Sequence, residues 1–170
     1  SADQLTAADI SNPANVAYVS QFQDAVDRYL PGTIPLNTQI HQGPAYGHFF
    51  IMPEDNLIHL YDGTEVALID GVEVQAPPIE RDIVMIYPKE GSMLRENCAC
   101  LVRAPWVDDE KRDGAQQWFN FLLEDSQQRS FMAAGFRPGT NLSVTAPISP
   151  RYGLNPASPK KVLNPERVDP

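Results

Sequence analysis

Chemistry is most concentrated at Pro53-Glu54-Asp55-Asn56, where two adjacent carboxylates and an amide stand together. At the end of a strand such a group can accept hydrogen bonds from a solute's hydroxyls or amine, or coordinate a cation. The same composition also suits a plain acidic turn. Gly32-Thr33 sets a residue without Cβ beside a hydroxyl, which brings backbone close to a ligand or simply stops a helix. The histidines are His41, His48 and His59. Combining His48 and His59 with Glu54 matches no established zinc spacing. Cys98 and Cys100 form a C-x-C pair. On a strand, such a pair shares a face about 6.5–7 Å apart, at or beyond disulfide reach. They read as small strand residues rather than as metal ligands. Asn141-Leu142-Ser143 matches a glycosylation acceptor, a frequent chance pattern. No nucleophile elbow, phosphate loop, dinucleotide glycine pattern, calcium loop or H-E-x-x-H occurs. The expectation is a protein without catalytic residues, metal or cofactor.

The elements that must position these residues are punctuated by proline, 16 in 170 residues, roughly twice the usual share of about 5%. That excludes one long helical bundle or coiled coil. Net charge is −9, which disfavours nucleic acid and anionic membrane surfaces as partners. No run approaches the roughly 20 apolar residues of a bilayer span. The start at Ser1, without Met, is expected of a processed or shortened form. Asn12-Pro13 caps a helix whose apolar positions are Val16, Val19, Phe22, Val26 and Tyr29, ending at Pro31-Gly32. Strands are expected at His48–Met52, Leu57–Tyr61, Val66–Ile69 and Val72–Val74, with Asp70-Gly71 as a tight type I′ turn. The unbroken apolar run Ile83-Val84-Met85-Ile86 reads as a buried strand, and Ala99–Val102 as a short one. Asp108-Asp109-Glu110 opens a helix with an Ala115, Trp118, Phe119 and Leu122 stripe. Ser126 caps another, which carries Phe131 and Met132 and ends at Gly135. The Pro-rich chain from Pro138 reads as extended on the surface, outside the core. Together these predict an α/β fold, a mixed sheet with flanking helices.

From Tyr87 the sequence becomes specific. Tyr87-Pro88-Lys89-Glu90-Gly91-Ser92 and Ala104-Pro105-Trp106-Val107 resemble bacterial extracellular solute-binding proteins. The likeness continues through Ala115, Phe119, Phe121-Leu122-Leu123, Gln127-Gln128 and Gly135-Phe136-Arg137-Pro138-Gly139. Ala146-Pro147-Ile148-Ser149 and Gly153-Leu154-Asn155-Pro156 follow. Upstream, Leu5-Thr6, Asp9, Asn12-Pro13 and Tyr29 fit the same pattern. The likeness is greatest to the branch associated with von Willebrand factor A domains, although no such domain lies in this chain.

The resemblance implies a type II periplasmic-binding-protein fold, two α/β lobes around a cleft, of which this is a C-terminal portion. Residues 1–87 are then a lobe-two-like region, 88–139 the return strand and helices, and 140–170 a Pro-rich extended tail. The implied activity is capture of a small solute in an interlobe cleft, outside the cytoplasm, with the missing N-terminal lobe or a partner domain completing it. The candidate cleft lining is Thr33, Tyr46, Glu54, Asp55 and Tyr87. Arg137 is expected to make a structural hydrogen bond. The segment from Pro31 to Asp55 departs most from the family pattern, so the solute class does not transfer. A non-catalytic surface scaffold without a small ligand is the alternative.

Overall fold

The computed structural model describes residues 6–89, 92 and 97–158. The described elements are α1 (Ala7–Ser11), α2 (Pro13–Asp24), α3 (Thr33–His41), α4 (Glu54–Asp62), β1 (Val66–Ile69), β2 (Val72–Gln75), α5 (Asp109–Leu122) and α6 (Asp125–Ala133). Short 3₁₀ turns occur at Pro44–Tyr46 and Pro150–Tyr152. The expected α/β fold with a mixed sheet is therefore incorrect. Among the described residues the fold is mostly helical, with a single two-stranded antiparallel hairpin.

The hairpin forms where its turn chemistry requires. Asp70 and Gly71 both have positive φ, 52° and 79°, as a type I′ turn demands, and Ile69 pairs with Val72. The sheet grows no further on its β1 side because helix side chains occupy that edge. Thr38 Oγ1 accepts a 2.8 Å hydrogen bond from the Leu68 N–H, and Asn37 Nδ2 donates to the Val66 carbonyl at 3.1 Å. Asn37 is fully buried in this role. An edge satisfied in this way cannot template another strand.

Leu57–Tyr61, expected as a strand, lies in α4. Leu57, Leu60 and Tyr61 recur at i, i+3 and i+4, which is helical spacing, and Glu54-Asp55 supplies negative charge to the first turn. The acidic pair is thus a helix start rather than a strand end. Gly63, at φ 67°, closes α4 in the left-handed conformation. α4 also supplies Leu57, Ile58 and Leu60 to the core, with Ile40 of α3 and Ile79.

His48–Met52 and Ile83–Tyr87 have no regular secondary structure and belong to no sheet. Phe50, Met52, Ile83 and Met85 pack inward on the core, while Phe49, Ile51, Val84 and Ile86 face out. The run at Ile83 is therefore half-buried rather than covered on both faces. Ala99–Val102 is exposed and forms no strand. The first long helix stops at Asp24, short of Tyr29, and α1 and α2 bury no residue. The N-cap of α6 is Glu124 rather than Ser126.

The described part of the segment beyond Pro138, residues 139–158, contributes to the core, contrary to the surface path expected for it. Ile148 and Leu154 are 1% and 2% exposed and belong to the central cluster. Gly153 makes this docking possible. Its φ is +68°, and a Cβ there would sit 2.2 Å from the Ile83 carbonyl oxygen. Its own carbonyl accepts a 2.8 Å hydrogen bond from Met85 N–H. Leu154→Ala should therefore cost about 2–5 kcal/mol in urea unfolding, whereas a surface linker residue would change stability by less than about 0.5 kcal/mol.

Candidate functional site

Glu54 is the first residue of α4, where free backbone N–H groups and the helix dipole favour a carboxylate. Tyr87 ends the irregular segment that begins at Ile83. Tyr61 fixes that segment's start: its hydroxyl donates to the Ile83 carbonyl and accepts from the Ile83 N–H, both at 2.8 Å. Arg137 follows Gly135, whose φ of +91° ends α6 and lets the chain pass close to α4. A Cβ on Gly135 would lie 3.1 Å from Asp55 Cα.

These segments meet at one carboxylate. Arg137 Nε donates to Glu54 Oε2 at 2.7 Å and Arg137 Nη2 donates to Oε1 at 2.9 Å, a bidentate pair. Tyr87 Oη donates to Oε1 at 2.5 Å. The remaining capacity of the guanidinium reaches the C-terminal segment, with Nη2 to the Asn155 carbonyl at 2.8 Å and Nη1 to the Pro156 carbonyl at 3.3 Å. Asn155 N–H donates back to Tyr87 Oη at 3.2 Å. The Glu54 and Arg137 side chains are 19% and 16% exposed, so the pair is mostly withdrawn from water.

The electrostatics follow from this geometry. Burial, reinforced by the hydrogen bond to Glu54, pushes the Tyr87 hydroxyl up to about 12. Tyr87 is therefore a neutral hydrogen-bond donor at physiological pH. The hydrogen bond to Glu54 raises the Arg137 pKa above its ordinary value. Glu54 already accepts three hydrogen bonds and faces a cation. It is a brace between segments more than a free acceptor or a general base. Asp55, its neighbour, is half-buried and enters no ion pair among the described residues.

Of the sequence-derived cleft residues, Glu54 and Tyr87 meet through a hydrogen bond, Asp55 is beside them only as Glu54's neighbour in the chain, and Thr33 and Tyr46 do not join them. Thr33 is exposed at the start of α3, and Tyr46 is exposed at the end of the 3₁₀ turn. Neither shares a hydrogen bond with Glu54 or Tyr87 among the described residues. Arg137 does make the structural hydrogen bonds expected of it, and its partner Glu54 was not foreseen. Nothing in the sequence pairs residues 54 and 137, because a contact across 83 positions depends on the folded path. The imagined zinc set is dispersed: His59 Nδ1 lies 3.5 Å from Glu65 Oε1, and Glu54 is held by Arg137. Among the described residues no group of three His, Cys, Asp or Glu side chains is placed to hold a metal ion.

Two shallow concavities of about 340 and 280 Å³ adjoin His41, the first lined also by Arg81 and Ile79 and the second by Thr38 and Leu68. Burial, then the nearby Arg81 charge, lowers the His41 pKa below its ordinary value. Neither concavity is lined by Glu54, Tyr87 or Arg137.

No family model, curated protein or solved structure matches this chain. Among the described residues no helix is long and apolar enough to cross a membrane.

The raised Tyr87 pKa sets an alkaline limit. In the unfolded chain Tyr87 ionises near its ordinary value of 10.0, while in the folded chain it stays protonated to about 12. Its contribution to stability is complete below pH 10 and is lost as pH rises from 10 through 12. Urea midpoints measured across that window should fall more steeply for the parent chain than for Tyr87→Phe. A residual slope should persist from Tyr152, whose pKa is raised by its hydrogen bond to Asp62.

Proposed function

We propose that this chain is a non-catalytic solute-binding module of an extracytoplasmic protein, which captures a small ligand together with a second lobe or partner domain. One observation carries this reading. Of three segments that bear the resemblance to solute-binding proteins, Tyr87-Pro88 and Gly135–Gly139 bind the Glu54 carboxylate, and Gly153–Pro156 binds the Arg137 and Tyr87 groups that hold it. Residues that are far apart in sequence and share one family pattern also share one hydrogen-bonded junction. In this reading the junction fixes the floor of the site. The neighbouring Asp55 offers the carboxylate that a solute's hydroxyl or amine groups would meet.

In this reading α5 is the seat of the second lobe. α5 runs for 14 residues with an amphipathic pattern yet buries none of them. Trp118 and Phe121 stack at 5.3 Å between ring centroids and remain exposed, as do Trp106 and Leu123. Helical stability in proteins comes mainly from packing of such a face. This same exposure favours the second reading, a surface scaffold that binds a protein and no small ligand.

Thermal unfolding against metal ions, oxyanions, sugars, amino acids and polyamines separates the two. A solute at about 100 times its Kd should add roughly 2.7 kcal/mol of stability. Asp55→Asn should abolish that gain while costing the unliganded chain only about 0.3–1 kcal/mol, the share of its charge in the first turn of α4. If no class of solute stabilises either this chain or a longer parent chain, the scaffold reading stands and the solute reading fails.

A further inference from the structure

Arg81 is a half-buried cation that enters no ion pair among the described residues. Its neighbours Glu80 and Asp82 are exposed and are not paired with it. Arg81 Nη2 donates to the Ile40 carbonyl at 2.8 Å, near the end of α3, and the guanidinium carbon lies 6.0 Å from the Phe50 ring centroid. Arg81 Nε is buried without a hydrogen-bond partner. His41, the last residue of α3, has the same defect, since its Nε2 is buried and unpartnered. Both side chains line the concavity of about 340 Å³, with Pro77, Pro78 and Ile79 as apolar walls and Glu80 at its border. That volume is at the lower end of the range for small-molecule sites.

We propose that this concavity binds a small organic monocarboxylate, held by Arg81 and His41 with its apolar body against Pro77, Pro78 and Ile79. The charge on Arg81 is the first argument. A guanidinium partly withdrawn from water is costly without a counter-ion, and its planar fork suits a carboxylate. The second argument is the pair of orphaned nitrogens. Buried polar atoms without partners are rare and unfavourable. Arg81 Nε–H is a donor, and His41 Nε2 is one in the corresponding neutral tautomer. A turn of each side chain brings both to the oxygens of one carboxylate. The third argument selects one negative charge over two. Burial and the Arg81 charge hold the His41 pKa below its ordinary value, so at neutral pH Arg81 is the single cation of the site. Glu80 at the border disfavours any further negative charge. A monocarboxylate is therefore matched, whereas a sulfate or phosphate dianion is not. The site is separate from the one proposed at Asp55, which does not line this concavity.

Calorimetric titration of the full chain with isovalerate, with its neutral amide isovaleramide and with sulfate tests the proposal. Isovalerate should bind with a Kd on the order of 1 mM, as suits so small a ligand, and the amide and sulfate about tenfold more weakly or worse. In a proton–carbon NMR spectrum the His41 ring signals, assigned by their loss in His41→Asn, should move with isovalerate while those of His48 and His59 stay. Arg81→Gln and His41→Asn should each weaken isovalerate by about tenfold or more, with circular dichroism to check that each variant folds. If Arg81→Gln does not fold, Arg81→Lys serves, because it keeps the charge without the planar fork and should still weaken binding several-fold. Three results overturn the proposal: no heat and no His41 shift even at about twenty times that concentration of isovalerate, equal binding of the amide, or an affinity indifferent to these variants. The readout is local to His41, so its failure leaves the Asp55 reading standing, and the failure of that reading leaves this one standing.

Discussion

The Glu54–Arg137 ion pair is the constraint on which the rest of the arrangement depends. It joins the start of α4 to the loop after α6 across 83 positions, and the same guanidinium holds the carbonyls of Asn155 and Pro156. Tyr87 joins through the same carboxylate. Four separate stretches of chain are thus closed by one small cluster. A protein with a two-stranded hairpin as its only described sheet has few ladders with which to close long loops. Each closure costs chain entropy, and charge-assisted hydrogen bonds away from water are strong enough to offset part of it. The apolar core follows from that closure, since Leu154 and Ile148 enter it only when the C-terminal segment is drawn in.

What was readable in the sequence is what depends on local chemistry. Asp70-Gly71 specifies its own turn, because both residues tolerate positive φ. Asp108 caps α5 with its side chain on the Lys111 N–H, as the acidic start of that helix implies. What depends on the competition between elements was not readable. Leu57–Tyr61 has strand-like composition, yet the carboxylates before it and Gly63 after it make a helix cheaper than an unpaired strand. Ile83–Tyr87 has the residues of a central strand, but no neighbouring strand is supplied, so one of its faces stays bare. The mixed sheet fails for the same reason at β1, whose edge is taken by Asn37 and Thr38. At the site, Glu54-Asp55 was visible as an adjacent acidic pair and Tyr87 through the resemblance to solute-binding proteins. The union of Glu54 with Arg137 and Tyr87 was not, since no local pattern encodes it.

The distribution of apolar surface connects the fold to the proposed role. The core is concentrated around α3, α4 and the returning C-terminal segment, whereas α2, α5 and the outer sides of the irregular segments carry large exposed side chains. Isolated exposed apolar residues are ordinary, but whole helix faces without cover mark surfaces that meet other bodies. The Glu54–Arg137 junction is internally neutralised, since the carboxylate and the guanidinium pair with each other.

The central claim is that Glu54 and Arg137 act as one unit that holds distant segments together. A double-mutant cycle in urea unfolding, with Glu54→Gln, Arg137→Met and the combined variant, measures this directly. The account predicts a coupling of about 1.5–3 kcal/mol, the range for hydrogen bonds to charged groups away from water. Additivity within about 0.5 kcal/mol would contradict it, because the two side chains would then contribute independently.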